Sequence, residues 1–417
     1  MANITFLFSD NSMMFPRSAY GPLLADLDLY PVVALMGARQ VGKSTLCRQI
    51  ASQRGVAYRT LDDRDTRHQA TQDPEGLLAV AGKNGLVIDE IQRAPDLLLA
   101  VKSVVDRDGR PGQFLLTGSN QPMMGRAVGD SLLGRTAYRT LRPLTLSELR
   151  FDEQHPGWSF LFGDDETTMM HELERRATAN AITDWHEVVR TGGFPRAVAM
   201  RQQERARLLS DYVTAFVQRD VREVMAVERI DRFENFFRVV AARVGQELNA
   251  DRWSSEIAVP VTTTRRWLQA LQSTYLIDLI PPFLRNSSHR VIKAPKLYMV
   301  DSALALAAAH ETEPTGFHLE NLIVSDAAVW KGNAPNRAWY HWRLASGQEV
   351  DLVLEENGLL LPVEIKATAV AQKSHARHLQ TFCDRHPNAV RGLLLTNDPT
   401  IRILAPGVVA APWWGVV

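Results

Sequence analysis

Eight residues set the terms on which this chain can fold: Gly37-Ala38-Arg39-Gln40-Val41-Gly42-Lys43-Ser44. They follow the apolar run Val32-Val33-Ala34-Leu35-Met36 and lead into Thr45-Leu46-Cys47-Arg48-Gln49-Ile50. The order strand, glycine loop, helix turns successive backbone N–H groups inward around an anion, and the helix N-terminus adds its partial positive charge. Gly37 and Gly42 let the backbone approach a polyphosphate closely. Lys43 is spaced to reach the β- and γ-phosphates, and the Ser44 hydroxyl, with Thr45 beside it, to ligate Mg²⁺. The stretch predicts a site for a nucleoside triphosphate, ATP with Mg²⁺, at the end of a buried strand.

A second element lies about 45 residues beyond Lys43: Gly85-Leu86-Val87-Ile88-Asp89-Glu90. An apolar strand ending in two carboxylates is what phosphoryl transfer to water requires. Asp89 is placed to hold Mg²⁺ through water, and Glu90 to take the proton of the attacking water as general base. The next apolar run, Gln113 to Gly118, ends in Ser119 and Asn120, candidates for sensing the γ-phosphate or orienting the water. In the glycine-containing loop that follows, Arg126 and Arg135 are candidates for stabilising transition-state charge, from the same subunit or a neighbouring one, and Arg135 is preferred.

Strand and helix patterns alternate around these motifs. Strands are expected at 32–36, 57–61, 85–91, 113–118 and 137–141, and helices at 23–29, 44–53, 75–81 and 96–106. Several strands are continuous apolar runs, as in a sheet buried on both faces, so residues 1–150 read as a doubly wound α/β domain with nucleotide at the carboxyl ends of the strands. Residues 151–250 turn helical: a charged periodic stretch at 164–190, a break at Gly192-Gly193-Phe194-Pro195, and longer helices at 202–225 and 231–248. The stripe Leu208, Leu209, Tyr212, Val213, Phe216 and Val217 is a core face. Residues 251–314 begin with Trp253 to Ala258, a turn at Val259-Pro260, and Val261 to Gln272, followed by strand-like runs. That is the order of a winged helix-turn-helix, with Thr262, Thr263 and Thr264 the candidate cap of its second helix. Residues 315–417 form a separate small α/β domain: helix 316–331, strands 337–344, 349–355 and 360–367, helix 370–385 and strand 390–396.

Lys+Arg and Asp+Glu each number 47 in the 417 residues, so no global charge draws the chain to nucleic acid, and such a partner must be met by a local patch. One stretch offers it: residues 251–300 hold seven basic residues (252, 265, 266, 285, 290, 293 and 296) against three acidic ones, a net of +4, with Arg265 and Arg266 on the second helix. Such a patch suits a phosphate backbone, or the module simply packs two domains together. The two cysteines, Cys47 and Cys383, exclude a disulfide framework or zinc cluster and suit a reducing compartment. The apolar run Ile4 to Phe8 lacks a basic leader, and nothing approaches eighteen uninterrupted apolar residues. The tail from Ile403 to Val417, broken by Pro406 and Pro412, reads as packed coil or an edge strand. A cytoplasmic location without membrane contact is expected.

The C-terminal domain carries a second constellation. Asp351 lies in Glu349-Val350-Asp351-Leu352, and Glu364 and Lys366 lie in Pro362-Val363-Glu364-Ile365-Lys366. Strand alternation puts Glu364 and Lys366 on one face, and Asp351 on the polar face of the preceding strand. Two carboxylates and a lysine on adjacent strands can bind Mg²⁺ and position a hydrolytic water, with Glu320 adding a ligand from the first helix. A surface charge cluster on an exposed sheet face is the alternative.

Together these motifs resemble a prokaryotic family of AAA-type ATPases that end in a conserved domain of unknown function. The resemblance runs from about residue 17 to 405. It rests on Val41-Gly42-Lys43-Ser44-Thr45, Ile88-Asp89-Glu90-Ile91-Gln92, Leu116-Thr117-Gly118-Ser119, Gly192-Gly193-Phe194-Pro195, Gln218-Arg219-Asp220-Val221, and Glu349-Val350-Asp351 with Val363-Glu364-Ile365-Lys366. The last pair looks like the PD-(D/E)xK nuclease pattern, with Val350 where a proline usually stands. The resemblance implies a P-loop ATPase domain, a helical region with a winged helix, and a small α/β domain similar to restriction endonucleases, active or degenerate. It leaves two functions open: an ATP-driven enzyme acting on DNA or RNA, or an ATP-dependent switch that binds a protein or DNA partner and cuts nothing, either of them as an oligomer or not.

Overall fold

The computed structural model describes residues 14–119, 132, 134–152, 155–163, 165–221, 229–284, 294–344 and 346–417. The run Ile4 to Phe8, Asn120, Arg126, the end of the expected 202–225 helix, and the basic residues 285, 290 and 293 lie outside the described residues. The chain divides into two compact units. One comprises the chain up to Leu144 with Phe194–Arg196 and Gln269–Leu276; the other comprises Thr145–Gly193, Ala197–Leu268 and Ile277–Val417.

The first unit is built on five parallel strands, β1 (Val32–Met36), β2 (Ala57–Thr60), β3 (Leu86–Asp89), β4 (Phe114–Gly118) and β5 (Thr136–Thr140), in the order β2-β3-β4-β1-β5. Among the described residues five helices accompany them: α1 (Tyr20–Leu29), α2 (Lys43–Arg54), α3 (Arg64–Gln72), α4 (Pro74–Ala79) and α5 (Leu97–Arg107). β1, β3 and β4 are buried along their whole length, as their unbroken apolar sequences require. Ile88, Leu116, Leu97, Leu98 and Val101 share one core with Val32, Ala34 and Met36 of β1. The helix α3 has no counterpart in the sequence reading. Its residues are mostly polar and only Ala70 is buried, but Asp63 caps it by accepting from the Thr66 amide at 2.8 Å. Because the strands are parallel, Met36 pairs with Gly118 and Ile88 with Leu116. This register brings the loop after β1, the Asp89–Glu90 pair and Ser119 to one edge of the sheet.

After short helical turns at Leu146–Leu149 and Gly157–Phe162, the second unit continues with helices α6 (Glu166–Ala179), α7 (Trp185–Thr191), α8 (Gln202–Ala215) and α9 (Ile230–Ala241). α8 ends in a π-helical turn, Phe216–Asp220. The expected 231–248 helix stops early, and a short strand β6 (Gln246–Glu247) follows. Next come α10 (Ala250–Glu256), α11 (Val261–Ser273), and strands β7 (Ile277–Ile280) and β8 (Lys296–Met299), which close an antiparallel sheet in the order β6-β8-β7. Phe233 and Phe236 of α9 pack on Trp267 of α11 with ring centroids 5.4 Å apart in each pair. The threonines do not cap α11. The helix starts at Val261, and the Thr263 and Thr264 amides donate to the Pro260 carbonyl at 2.9 and 3.1 Å.

After α12 (Ser302–Ala309) and α13 (Gly316–Gly332) comes a six-stranded sheet: β9 (Arg337–Arg343), β10 (Glu349–Glu356), β11 (Leu359–Ile365), β12 (Gly392–Thr396), β13 (Arg402–Ala405) and β14 (Val408–Pro412), in the order β13-β14-β12-β11-β10-β9, with α14 (Arg377–Arg385) between β11 and β12 in the chain. The tail is therefore not coil: β13 is an edge strand of the sheet, and a second strand follows it. β14 runs inside the sheet, parallel to β12 and antiparallel to β13, because Pro406 and Pro412 fall in the turn and at the strand's last residue. The β9–β10 pairing slips by one residue between Val350 and Val353, a bulge that contains Asp351 and lets both valines enter the same core. Among the described residues no helix is long and apolar enough to cross a membrane.

Candidate functional site

The loop after β1 has the geometry its glycines allow. Gly37 takes φ +144° and Gly42 φ +100°, both in the region that favours glycine, and a Cβ on Gly37 would stand 2.2 Å from the Leu141 carbonyl oxygen. Helix α2 begins at Lys43, so the amides of Lys43, Ser44 and Thr45 face the loop without partners from a preceding turn. Gly37, Ala38 and Val41 are buried, Arg39 and Ser44 half-buried, and Gln40 and Thr45 exposed. Lys43 is only 4% exposed, and its Nζ donates to the Gly37 and Ala38 carbonyls, 2.9 Å each. Burial pushes its pKa down to about 8, against the pull of Glu90 and Asp89. Cys47 is buried in α2, and burial pushes its thiol pKa up, which marks it as core.

Asp89 at the end of β3 is buried and accepts from the Tyr58 hydroxyl at 2.6 Å and from the Thr117 hydroxyl. Glu90 takes a left-handed φ of +60°, and its amide donates to Thr117 Oγ1 at 3.0 Å. Its carboxylate accepts from Gln92 Nε2, which also stands 3.3 Å from Ser119 Oγ. The structure thus brings Glu90, Ser119 and Asp89 into one network. Tyr58 was missing from the sequence reading of this site, and Gln92 and Thr117, though within its motifs, were given no role there. The position of Gln92 next to the Asp-Glu pair was the available signal; Tyr58 and Thr117 join only through strand pairing. Arg17 also went unrecognised. Its guanidinium donates to the carbonyls of Val41 at 2.7 Å and Arg142 at 2.5 Å, pinning the loop.

Arg135 does not reach this site from its own chain. It precedes β5, where its carbonyl accepts from the Val32 amide at the start of β1, and it pairs with Asp106. The loop lies at the other end of β1, about 15 Å along the strand.

Mg²⁺ fits this first site. Asp89 offers a buried carboxylate oriented by two hydroxyls, and Ser44 opens the helix on the phosphate side. ATP would lie along the loop amides, and the ion would supply charge to the phosphates.

In the second unit the structure gathers Asp351, Glu364 and Lys366. Lys366 Nζ lies 2.6 Å from Glu364 Oε1 and 4.0 Å from Asp351 Oδ2, and Asp351 Oδ2 accepts from the Ile365 amide at 3.0 Å. Glu364 is buried, its Oε2 has no hydrogen-bond partner, and burial followed by the Asp351 charge pushes its pKa up to about 8. Glu320 does not join these two as a metal ligand. Lys296 from β8 stands between, with Nζ 3.0 Å from Asp351 Oδ1, 3.3 Å from Glu320 Oε1 and 2.7 Å from Glu349 Oε1. The Tyr298 hydroxyl donates to Glu320 at 2.5 Å. Burial, then Asp351, pushes the Glu320 pKa up to about 7. Burial also raises that of Asp351, but Lys296, Lys366 and the Ile365 amide outweigh it, and the net shift is downward. Among the described residues no group of three or more His, Cys, Asp or Glu side chains is arranged to hold a metal ion. The expected Mg²⁺ set of Glu320, Asp351 and Glu364 is corrected accordingly, and so is the exposed sheet face, since Asp351 and Glu364 are buried.

Residues 29–150 match the model of an AAA domain family, residues 182–315 a domain of unknown function (DUF8612), and residues 315–414 another (DUF4143). Uncharacterized proteins of Mycobacterium tuberculosis and Mycobacterium bovis are each 27% identical over 370 residues, 86% of this chain and 76% of theirs. Among solved structures, a Walker-type ATPase of Pyrococcus abyssi is similar over 71% of this chain and 96% of its own, at 15% identity and a TM-score of 0.46. The parallel sheet and its glycine loop with Lys43 lie within the residues that match the AAA domain, so residues 29–150 have the form of an AAA-type P-loop domain.

Proposed function

We propose that this chain hydrolyses ATP and uses the hydrolysis as a switch on a nucleic-acid partner. The observation that carries the reading is the Asp89–Glu90 pair at the carboxyl edge of the sheet, held by Thr117 and Gln92 beside Lys43. Lys43 exchanges the Gly37 and Ala38 carbonyls for β- and γ-phosphate oxygens. Ser44 and Asp89 would hold Mg²⁺, which would supply positive charge to the phosphates. Glu90 leaves Gln92, orients water and accepts its proton, while Ser119 senses the γ-phosphate. The segment from α9 to β8 supplies the partner surface. Its order of helix, strand, two helices and a two-stranded hairpin is that of a winged helix, and Arg265 and Arg266 stand exposed on α11.

ATP turnover by the purified full chain, with and without DNA or RNA, tests the reading. Turnover that is lost in Glu90→Gln and stimulated by nucleic acid supports it. Turnover indifferent to both polymers removes nucleic acid as the partner and leaves a protein.

A further inference from the structure

The carboxylates of the C-terminal domain already surround a cation. Lys296 Nζ lies within 3.3 Å of oxygens from Glu320 on α13 and from Glu349 and Asp351 on β10. It is 3% exposed. Its distances, 2.7 to 3.3 Å, are hydrogen-bond distances; Mg²⁺ would need oxygens at about 2.0–2.1 Å. The lysine does not hang from a loose segment. It sits on β8, whose backbone pairs with β6 on one side and β7 on the other, and the Glu247–Lys296 and Ile280–Lys296 pairs place it in the middle of that sheet. The far side of Glu320 is closed as well: a Cβ on Gly245 would stand 3.4 Å from both its carboxylate oxygens and 2.9 Å from Phe317.

We infer that Lys296 is the resident cation of this carboxylate cradle, standing where a divalent ion would otherwise bind, so that the C-terminal domain of the intact chain has no metal centre at Asp351. Glu320 and Asp351, with the half-buried Glu349 beside them, cannot be brought together uncompensated, because a buried charge is tolerated only when paired. One ammonium with three donors satisfies one oxygen of each. The lysine comes from the segment matching one domain of unknown function, and the carboxylates from the segment matching the next. The inference therefore also ties β8, through these ion pairs, to a cradle that a free C-terminal domain would leave open. It is independent of the ATPase reading.

The test is Mn²⁺ binding to the nucleotide-free full chain, read from the EPR signal of the free ion, alongside thermal unfolding. Wild type and Asp351→Asn should bind the same amount of Mn²⁺, with no saturable equivalent assignable to the cradle. Lys296→Met removes the cation and keeps the stem. It should unfold at lower temperature, bind one additional Mn²⁺ per chain, and recover thermal stability as Mn²⁺ is added, and Lys296→Met with Asp351→Asn should lose that extra ion. A wild-type Mn²⁺ equivalent that disappears in Asp351→Asn overturns the inference, as does a folded Lys296→Met variant that gains no ion. If Lys296→Met does not fold, the comparison of wild type with Asp351→Asn decides alone.

Discussion

Raising the pH from 7 to 9.5 should weaken ATP binding about thirty-fold, because of where Lys43 rests without nucleotide. Its ammonium is 4% exposed and held by two neutral carbonyls, and burial lowers its pKa to about 8. A bound polyphosphate places negative charge against the same ammonium and raises its pKa. Below pH 8 the lysine is charged in both states, so affinity is flat. Above pH 8 the free protein must take up a proton to bind, and affinity falls about tenfold per pH unit. At pH 9.5 the factor is about thirty, or about 2 kcal/mol. The same depression makes the charged lysine a cost to the nucleotide-free fold below pH 8, one that fades as pH rises from 8 toward the ordinary lysine value. The assay is equilibrium titration with a labelled, non-hydrolysable ATP analogue at constant ionic strength, with Lys43→Met as the control that binds weakly at every pH. Affinity that holds constant to pH 9.5 in wild type, or a control that shows the same decline, would refute the argument.

Glu90→Gln should keep ATP binding and lower kcat by about 100- to 10,000-fold, about 3–5 kcal/mol, because the amide cannot take the proton from water; single-turnover hydrolysis checks it. Gly37→Ala should abolish ATP binding in the same titration, since its Cβ would collide with the Leu141 carbonyl oxygen at 2.2 Å and φ +144° strains any other residue. Arg265→Ala with Arg266→Ala should weaken DNA or RNA binding and reduce the slope of log affinity against log salt by up to about two, measured by anisotropy between low and physiological salt.

What could be read from the sequence was local. The Gly37–Ser44 loop, the strands around it and the Asp89–Glu90 pair announce themselves because their signals, glycine spacing and unbroken apolar runs, sit within a few consecutive residues. Strand bounds in the first unit fall within two residues of expectation at either end, with β1 unchanged. What was hidden depends on pairing at a distance. Arg135 looked like a candidate because it follows a glycine loop, but the parallel register of β5 with β1 sends it to the wrong end of the sheet. Lys296 was counted as one more charge in a basic stretch. Its partner Asp351 is 55 residues away, and only the sheet order of β8, with α13 and the bulge in β10, brings the two together. The strand β14 was obscured by prolines, which mark edges in general yet here fall at the ends of an interior strand.

Two lysines, 4% and 3% exposed, show how partners, rather than burial, set what a buried cation can do. Lys43 rests on neutral carbonyls, and its pKa is lowered; Lys296 rests on three carboxylates, and although burial works against its charge, Tyr298, Asp351, Glu320 and Glu349 outweigh it and raise the pKa well above the ordinary value. Hydrogen bonds from an ammonium to a carboxylate are about twice as strong as those between neutral groups. Withdrawing Lys296 would also leave Glu320 buried without its ammonium and Asp351 with only the Lys366 ammonium at 4.0 Å. An incoming phosphate offers Lys43 more negative charge than it gives up, so the first site opens to its ligand by exchange. No anion can offer Lys296 more than it already holds, and a cation entering the cradle must first expel it. The first site is therefore built to be exchanged and the second to stay filled. That difference places the ligand-driven event of this chain at the phosphate loop and makes the C-terminal cradle a fixed joint.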